Sequence, residues 1–136
     1  MGQETIKSES ILKFLQDKNY GYLATLMPDG SPQVTPTWVD TDGEHILINT
    51  ALGRLKYENI LRDPRVAVSV SDSTNPYDMV SIRGKVVEHT TNGAEEHIDK
   101  MAKKYIGLDR YPGRAPGEKR VLLKIKPTKI YHMKFG

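Results

Sequence analysis

The stretch Asn49-Thr50-Ala51-Leu52-Gly53-Arg54-Leu55-Lys56 brings together residue types that bind an oxyanion. A strand-like run ends, a glycine loosens the backbone, and a helical pattern begins with two cations beside it. The first turn of a helix carries unpaired N–H groups and the positive end of the dipole, and both attract phosphate. Thr50 adds a hydroxyl donor. Arg54 can grip an anion through two bonds, and Lys56 can act as a point charge. The same residues also suit a plain strand-to-helix turn with solvated cations, which are common on surfaces. A second stretch, Gln33-Val34-Thr35-Pro36-Thr37-Trp38, combines two Thr hydroxyls with the only tryptophan of the chain. A strand bent at Pro36 can carry a flat ring system and leave backbone groups free for its polar edge. It can equally be a Pro-bearing edge strand with a core tryptophan.

Two loops complete the candidate chemistry. Asp72-Ser73-Thr74-Asn75-Pro76-Tyr77 connects two strand-like runs at an expected rim. Asp109-Arg110-Tyr111-Pro112-Gly113-Arg114 sets two arginines and a tyrosine among Gly and Pro. Such a loop can wrap a polyanionic or aromatic ligand, or be mobile surface. His45, His89, His97 and His132 lie far apart with no metal-ligand spacing, so no metal site is expected. Glu95 and Glu96 beside His97 read as the polar face of a helix. GxGxxG, GxxxxGK[ST] and GxSxG motifs are all missing from the sequence, which argues against a classical dinucleotide fold or a P-loop. No acid–base pair stands out, and the catalytic residue stays unassigned.

The elements that must position these residues are mostly strands. Residues 20–27 and 31–40 read as a hairpin around Pro28-Asp29-Gly30-Ser31, whose turn chemistry is strong. Pro36 predicts an edge position or a bulge for the second of these strands. Residues 45–50, 65–72 and 79–90 follow as strands, and Gly84 predicts a bulge or barrel corner. Residues 119–136 close the chain as one or two strands. Helices are predicted at 8–18, 54–63 and 92–107. The last has the clearest 3.6-residue period and Gly107 for its C-cap. Tight turns between strands argue for an antiparallel sheet, and closing it into a barrel removes exposed edges.

Composition narrows the function classes. A chain of 136 residues predicts one domain, 1–136. The 20 Lys plus Arg against 17 Asp plus Glu leave a charge of +3, which lacks the clustered excess of a nucleic-acid binder. Zero cysteines exclude disulfides, thiolate nucleophiles and Cys-ligated metals. No apolar run is long enough for a membrane helix, and the N-terminus is polar, so a cytoplasmic location is expected.

Taken in order, these stretches resemble the flavin/deazaflavin split-barrel family, whose best-known branch is pyridoxamine 5′-phosphate oxidase. The resemblance runs from about residue 8 to 134. It is carried by GYLATLMPDGSPQVTPTWVD, the spacing T-x-x-x-R-x-K-x-x-N over Thr50 to Asn59, LRDPRV, NPYDMVSIRGKVV and KRVLLKIKPTKIYH. The short chain looks most like the branch of small oxidoreductases that use coenzyme F420, a deazaflavin, with FMN as the alternative cofactor. The resemblance implies a mainly β fold with flanking helices: a six-stranded antiparallel split barrel, homodimeric, with cofactor sites at the interface. It implies that Arg54 and Lys56 hold the cofactor phosphate, helped by Thr50 and Asn59. Val34, Thr35, Pro36, Thr37 and Trp38 would line the ring. Asn75, Pro76 and Tyr77 of the second subunit would close over it, and Arg110 and Arg114 would reach the tail. The implied activity is hydride transfer to a small unsaturated substrate. The alternatives are an FMN-dependent oxidoreductase and a non-catalytic carrier of flavin, deazaflavin or haem. The His and Arg pattern associated with pyridoxal phosphate binding is missing, so vitamin B6 chemistry is not implied.

Overall fold

The computed structural model describes residues 2–134, with side chains from Glu4 onward. In chain order the elements are β1 (Gly2–Glu4), α1 (Glu9–Gln16), β2 (Tyr20–Leu26), β3 (Pro32–Trp38), β4 (Asp40–Thr41) and β5 (Ile46–Ala51). They continue with α2 (Leu55–Arg62), β6 (Arg65–Ser71), β7 (Met79–Thr90), α3 (Ala94–Ile106) and β8 (Arg120–Met133). One antiparallel sheet runs β3-β2-β6-β7-β8-β5-β4, with β1 added alongside β8. Its two ends, β3 and β4, are joined in sequence by Val39 alone, and Val39 is fully buried. The sheet therefore curls until its edges adjoin, which is the split barrel.

The six longer strands are the ones expected. The sequence reading lacked the short β1 and β4, because two or three residues are too few for a period-2 pattern to show. The closing strand is a single one, and residues 135 and 136 of its expected span lie outside the described residues. Pro36 does sit in an edge strand. Gly84 does mark an irregularity: the β7–β8 register shifts between Arg83 and Gly84. A Cβ at Gly84 would fall 2.4 Å from the Lys126 carbonyl oxygen, so the close backbone approach requires glycine there.

Alternation decides which faces are buried. Val66, Val68 and Val70 of β6 point inward, as do Val80 and Ile82 of β7 and Leu123 and Ile125 of β8. Ile11 and Leu15 of α1 pack into the same core. Helix α3 lies against β8 and β5 and is tied to the barrel seam. The Tyr105 hydroxyl accepts from the Val39 N–H (3.0 Å) and donates to the Asn19 carbonyl (2.6 Å). Lys104 Nζ donates to the Leu15 and Val39 carbonyls at 2.8 and 2.7 Å. None of the helices among the described residues is long and apolar enough to cross a membrane.

Candidate functional site

A cleft of about 310 Å³ opens where the end of β3, β5, the start of α2, α3 and the loop before β8 converge. Its walls are Tyr20, Pro36, Thr37, Trp38, Asn49, Lys56, Ile98, Met101, Tyr111 and Arg120. One wall is aromatic. The Trp38 ring stacks on Tyr105 at 5.2 Å with planes 3° apart, and Tyr111 meets Trp38 edge-on at 5.8 Å. Such a surface suits a flat conjugated ring.

The other wall is cationic. Gly53 takes a φ of +87° and turns the chain into α2, whose N-cap residue is Arg54; no side chain caps this end. The first-turn N–H groups are thus left for an outside acceptor. Glu118 bridges two arginines, accepting from Arg54 Nη2 and from Arg120 Nη1 at 3.2 Å each. Lys56 forms no ion pair among the described residues. Burial, then the charges of Arg54 and Arg120, hold its pKa below the usual lysine value. Glu118 therefore serves Arg54 and Arg120, and Lys56 beside them is left without a carboxylate partner among the described residues. An anion placed among them would relieve their mutual repulsion and stabilise the charged form of Lys56.

One buried hydroxyl of the predicted set lies outside the cleft lining. Thr35 Oγ1 on β3 has no hydrogen-bond partner among the described residues. It sits on the face of β3 that pairs with the buried Leu23 and is not part of the cleft lining.

Of the residues singled out in the sequence, Pro36, Thr37, Trp38 and Lys56 line the cleft, and Arg54 stands at its edge through Glu118. Val34 faces outward from the open side of β3, 61% exposed. Thr50 is buried in β5 opposite Val121. Others lie elsewhere. Asn59 is fully buried and joins α2 to β2: its amide donates to Thr25 Oγ1 (3.0 Å) and its oxygen accepts from Arg62 (2.8 Å). Arg114 is committed to α3, bonding Asp99 at 2.8 Å and Glu95 at 3.0 Å. These bonds pin the 108–119 loop, with the Tyr111 N–H held by Asp99 (2.9 Å), and so set Tyr111 in the cleft wall. Arg110 is exposed. Asn75, Pro76 and Tyr77 do not line this chain's cleft, and Tyr77 is 67% exposed.

The sequence reading missed Tyr20, Asn49, Ile98, Met101 and Arg120, although Asn49 opens the very stretch first singled out. His97 is not on a solvated helix face but buried between Asp40 and Asn49. A larger groove of about 520 Å³ lies over β2, β6, β7 and β8, but it includes none of the predicted residues.

The pyridoxamine 5′-phosphate oxidase family model matches residues 8–134. The chain belongs to this family. Its fold agrees with that of an F420 reductase, with a TM-score of 0.78 and 34% identity over 88% of this chain and 94% of that one. A conserved protein of Mycobacterium tuberculosis, Rv2991, superposes with a TM-score of 0.71 at 26% identity, covering 93% and 84% of the two chains. The general stress protein 26 of Bacillus anthracis shares the fold at 20% identity, with a TM-score of 0.69 over 92% of each chain. Among curated proteins, none matches the sequence. The family binds FMN and includes oxidoreductases, and its members are typically dimers.

Proposed function

We propose that this protein is an F420-dependent oxidoreductase that reduces a small unsaturated substrate. The observation that carries the reading is the meeting of three under-neutralised cations with an aromatic wall in one cleft. Likeness to an F420 reductase at 34% identity supports the deazaflavin in particular. The residues present fit such a group. Arg54, Lys56, Arg120 and the uncapped start of α2 would hold its phosphate. Pro36, Thr37 and Trp38 would lie along its ring, with Val34 further along the strand face that carries Pro36 and Trp38. A bound reduced deazaflavin supplies a hydride. The chain's own part is to fix the ring, exclude water with Trp38, Ile98, Met101 and Tyr111, and leave one ring face open to substrate.

A second reading, an FMN-dependent oxidoreductase, has its own support. Arg114, one of two cations expected to reach the longer anionic tail of F420, is already paired with Glu95 and Asp99. FMN needs no such tail contact. Both readings use the same phosphate site.

The site is completed by a second copy in this reading. Tyr20, Tyr22 and Val34 leave an apolar strip exposed on the open face of β2 and β3, at 45%, 50% and 61%. Asn75, Pro76 and Tyr77 of the partner would close over the ring. Titration of purified protein with F420 and FMN, read by cofactor fluorescence, separates the two readings. Micromolar or tighter F420 binding with hydride transfer to an unsaturated acceptor supports the first. Purification with stoichiometric FMN supports the second, and tight binding without turnover would make the chain a carrier.

A further inference from the structure

We propose that His97 and Asn49 are positioning residues that hold the Arg120 guanidinium in place as an anion ligand of the cleft. The proposal rests on the reading of this cleft as a phosphate site, and it names the buried relay that shapes it.

The chain of contacts starts at Asp40, a buried carboxylate that accepts from His97 Nε2 (3.1 Å) and Lys100 Nζ (3.3 Å). A carboxylate partner requires the His97 proton on Nε2. In the neutral ring, Nδ1 is then an acceptor, and it faces Asn49 Nδ2 at 3.2 Å. The same amide nitrogen donates to the Ala94 carbonyl (2.8 Å). Both contacts fix which end of the Asn49 amide is nitrogen. Its oxygen must point the other way, where it accepts from Arg120 Nε at 2.9 Å. A flipped amide would set oxygen against the Ala94 carbonyl and nitrogen against the Arg120 N–H, losing all three bonds.

Arg120 is thereby held on several sides. Its Nη1 donates to Glu118, its backbone N–H to Glu95 (2.9 Å), and its guanidinium lies 5.1 Å over the Tyr111 ring. Its Nη2 has no partner among the described residues, and Arg120 lines the cleft while only 5% exposed. A charge so buried, with one edge of its fork unused and Lys56 nearby, is arranged to meet an anion.

Sulfate tests this without any cofactor, because it presents a phosphate-like oxyanion to the same cations. The single tryptophan, Trp38, lines the cleft, so its fluorescence reports occupancy. Arg120→Gln should weaken sulfate binding about tenfold or more. His97→Gln keeps a donor for Asp40 but offers Asn49 no acceptor at the Nδ1 position, and should reproduce much of that loss. His97→Asn places an acceptor near the Nδ1 position and should retain affinity. In an Arg120→Lys background, which has no Nε–H, His97→Gln should cost nothing further. Asn49→Leu serves as the second probe of the relay should His97→Gln fail to fold, with the same expected loss.

Equal losses for His97→Asn and His97→Gln, or an undiminished effect of His97→Gln in the Arg120→Lys background, would overturn the relay. An Arg120→Gln protein that binds sulfate normally would overturn the anion role. The outcomes separate from the functional reading. The expected sulfate ranking without F420 or FMN binding would sink the cofactor assignment alone. Cofactor binding without that ranking would sink the relay alone.

Discussion

Lys56 is expensive to keep where it stands. Burial and two neighbouring arginines hold its pKa down, so its charge works against folding below that lowered value and the penalty eases as pH rises through it. A residue that costs stability and meets no carboxylate is explained by a ligand. Lys56→Met should therefore leave the thermal midpoint unchanged or raised, while weakening cofactor binding about tenfold or more. Differential scanning calorimetry beside a binding titration checks both halves. Lys56 and Arg54 were legible because a helix start with adjacent cations is a local signal. Arg120 and Asn49 were not, because they meet across β5 and β8 through strand register rather than sequence spacing. The pairing of Arg114 was hidden for a related reason: its partners Glu95 and Asp99 sit 19 and 15 residues upstream, on a helix whose orientation no local pattern reveals.

At the scale of elements, α3 supplies part of the cleft wall and the β7–β8 pair carries the sheet between its edges. Tyr105 buckles α3 to the seam of the barrel, and its ring backs Trp38. Burial is the main reason its hydroxyl pKa is pushed up to about 12 from the ordinary 10.0. The folded value lies above the unfolded one. Its contribution to stability is thus complete below pH 10 and lost between 10 and about 12. In a spectrophotometric titration Tyr105 should ionise last, together with unfolding. Tyr105→Phe should cost on the order of 1–3 kcal/mol by stranding the Val39 N–H and Asn19 carbonyl. Gly84→Ala should cost a similar amount, about 1–3 kcal/mol, because the strands must part to clear the Lys126 carbonyl. Denaturant unfolding measures both. Strand and helix positions were legible from turns, prolines and periodicity over six or more residues. Gly84 was legible too, since glycine inside a strand pattern has few other reasons.

For the whole molecule, 136 residues make one curled sheet and a cleft open on one side. The exposed strip of Tyr20, Tyr22 and Val34 predicts a dimer of twice the chain mass in sedimentation equilibrium. Val34→Glu should shift it toward monomer and weaken cofactor binding together, since the ring would lie at the interface. A tight monomer with undiminished binding would instead confine the site to one chain. The +3 net charge says little as a total. It becomes informative once Arg54 and Arg120 are found on Glu118 with Lys56 beside them and unpaired. The most direct test of that arrangement is the affinity of F420 and FMN for the native protein and for Lys56→Ala. At least one cofactor should bind at micromolar or tighter affinity, weakened about tenfold or more by the substitution. Failure of both to bind, or equal binding by Lys56→Ala, would contradict that arrangement.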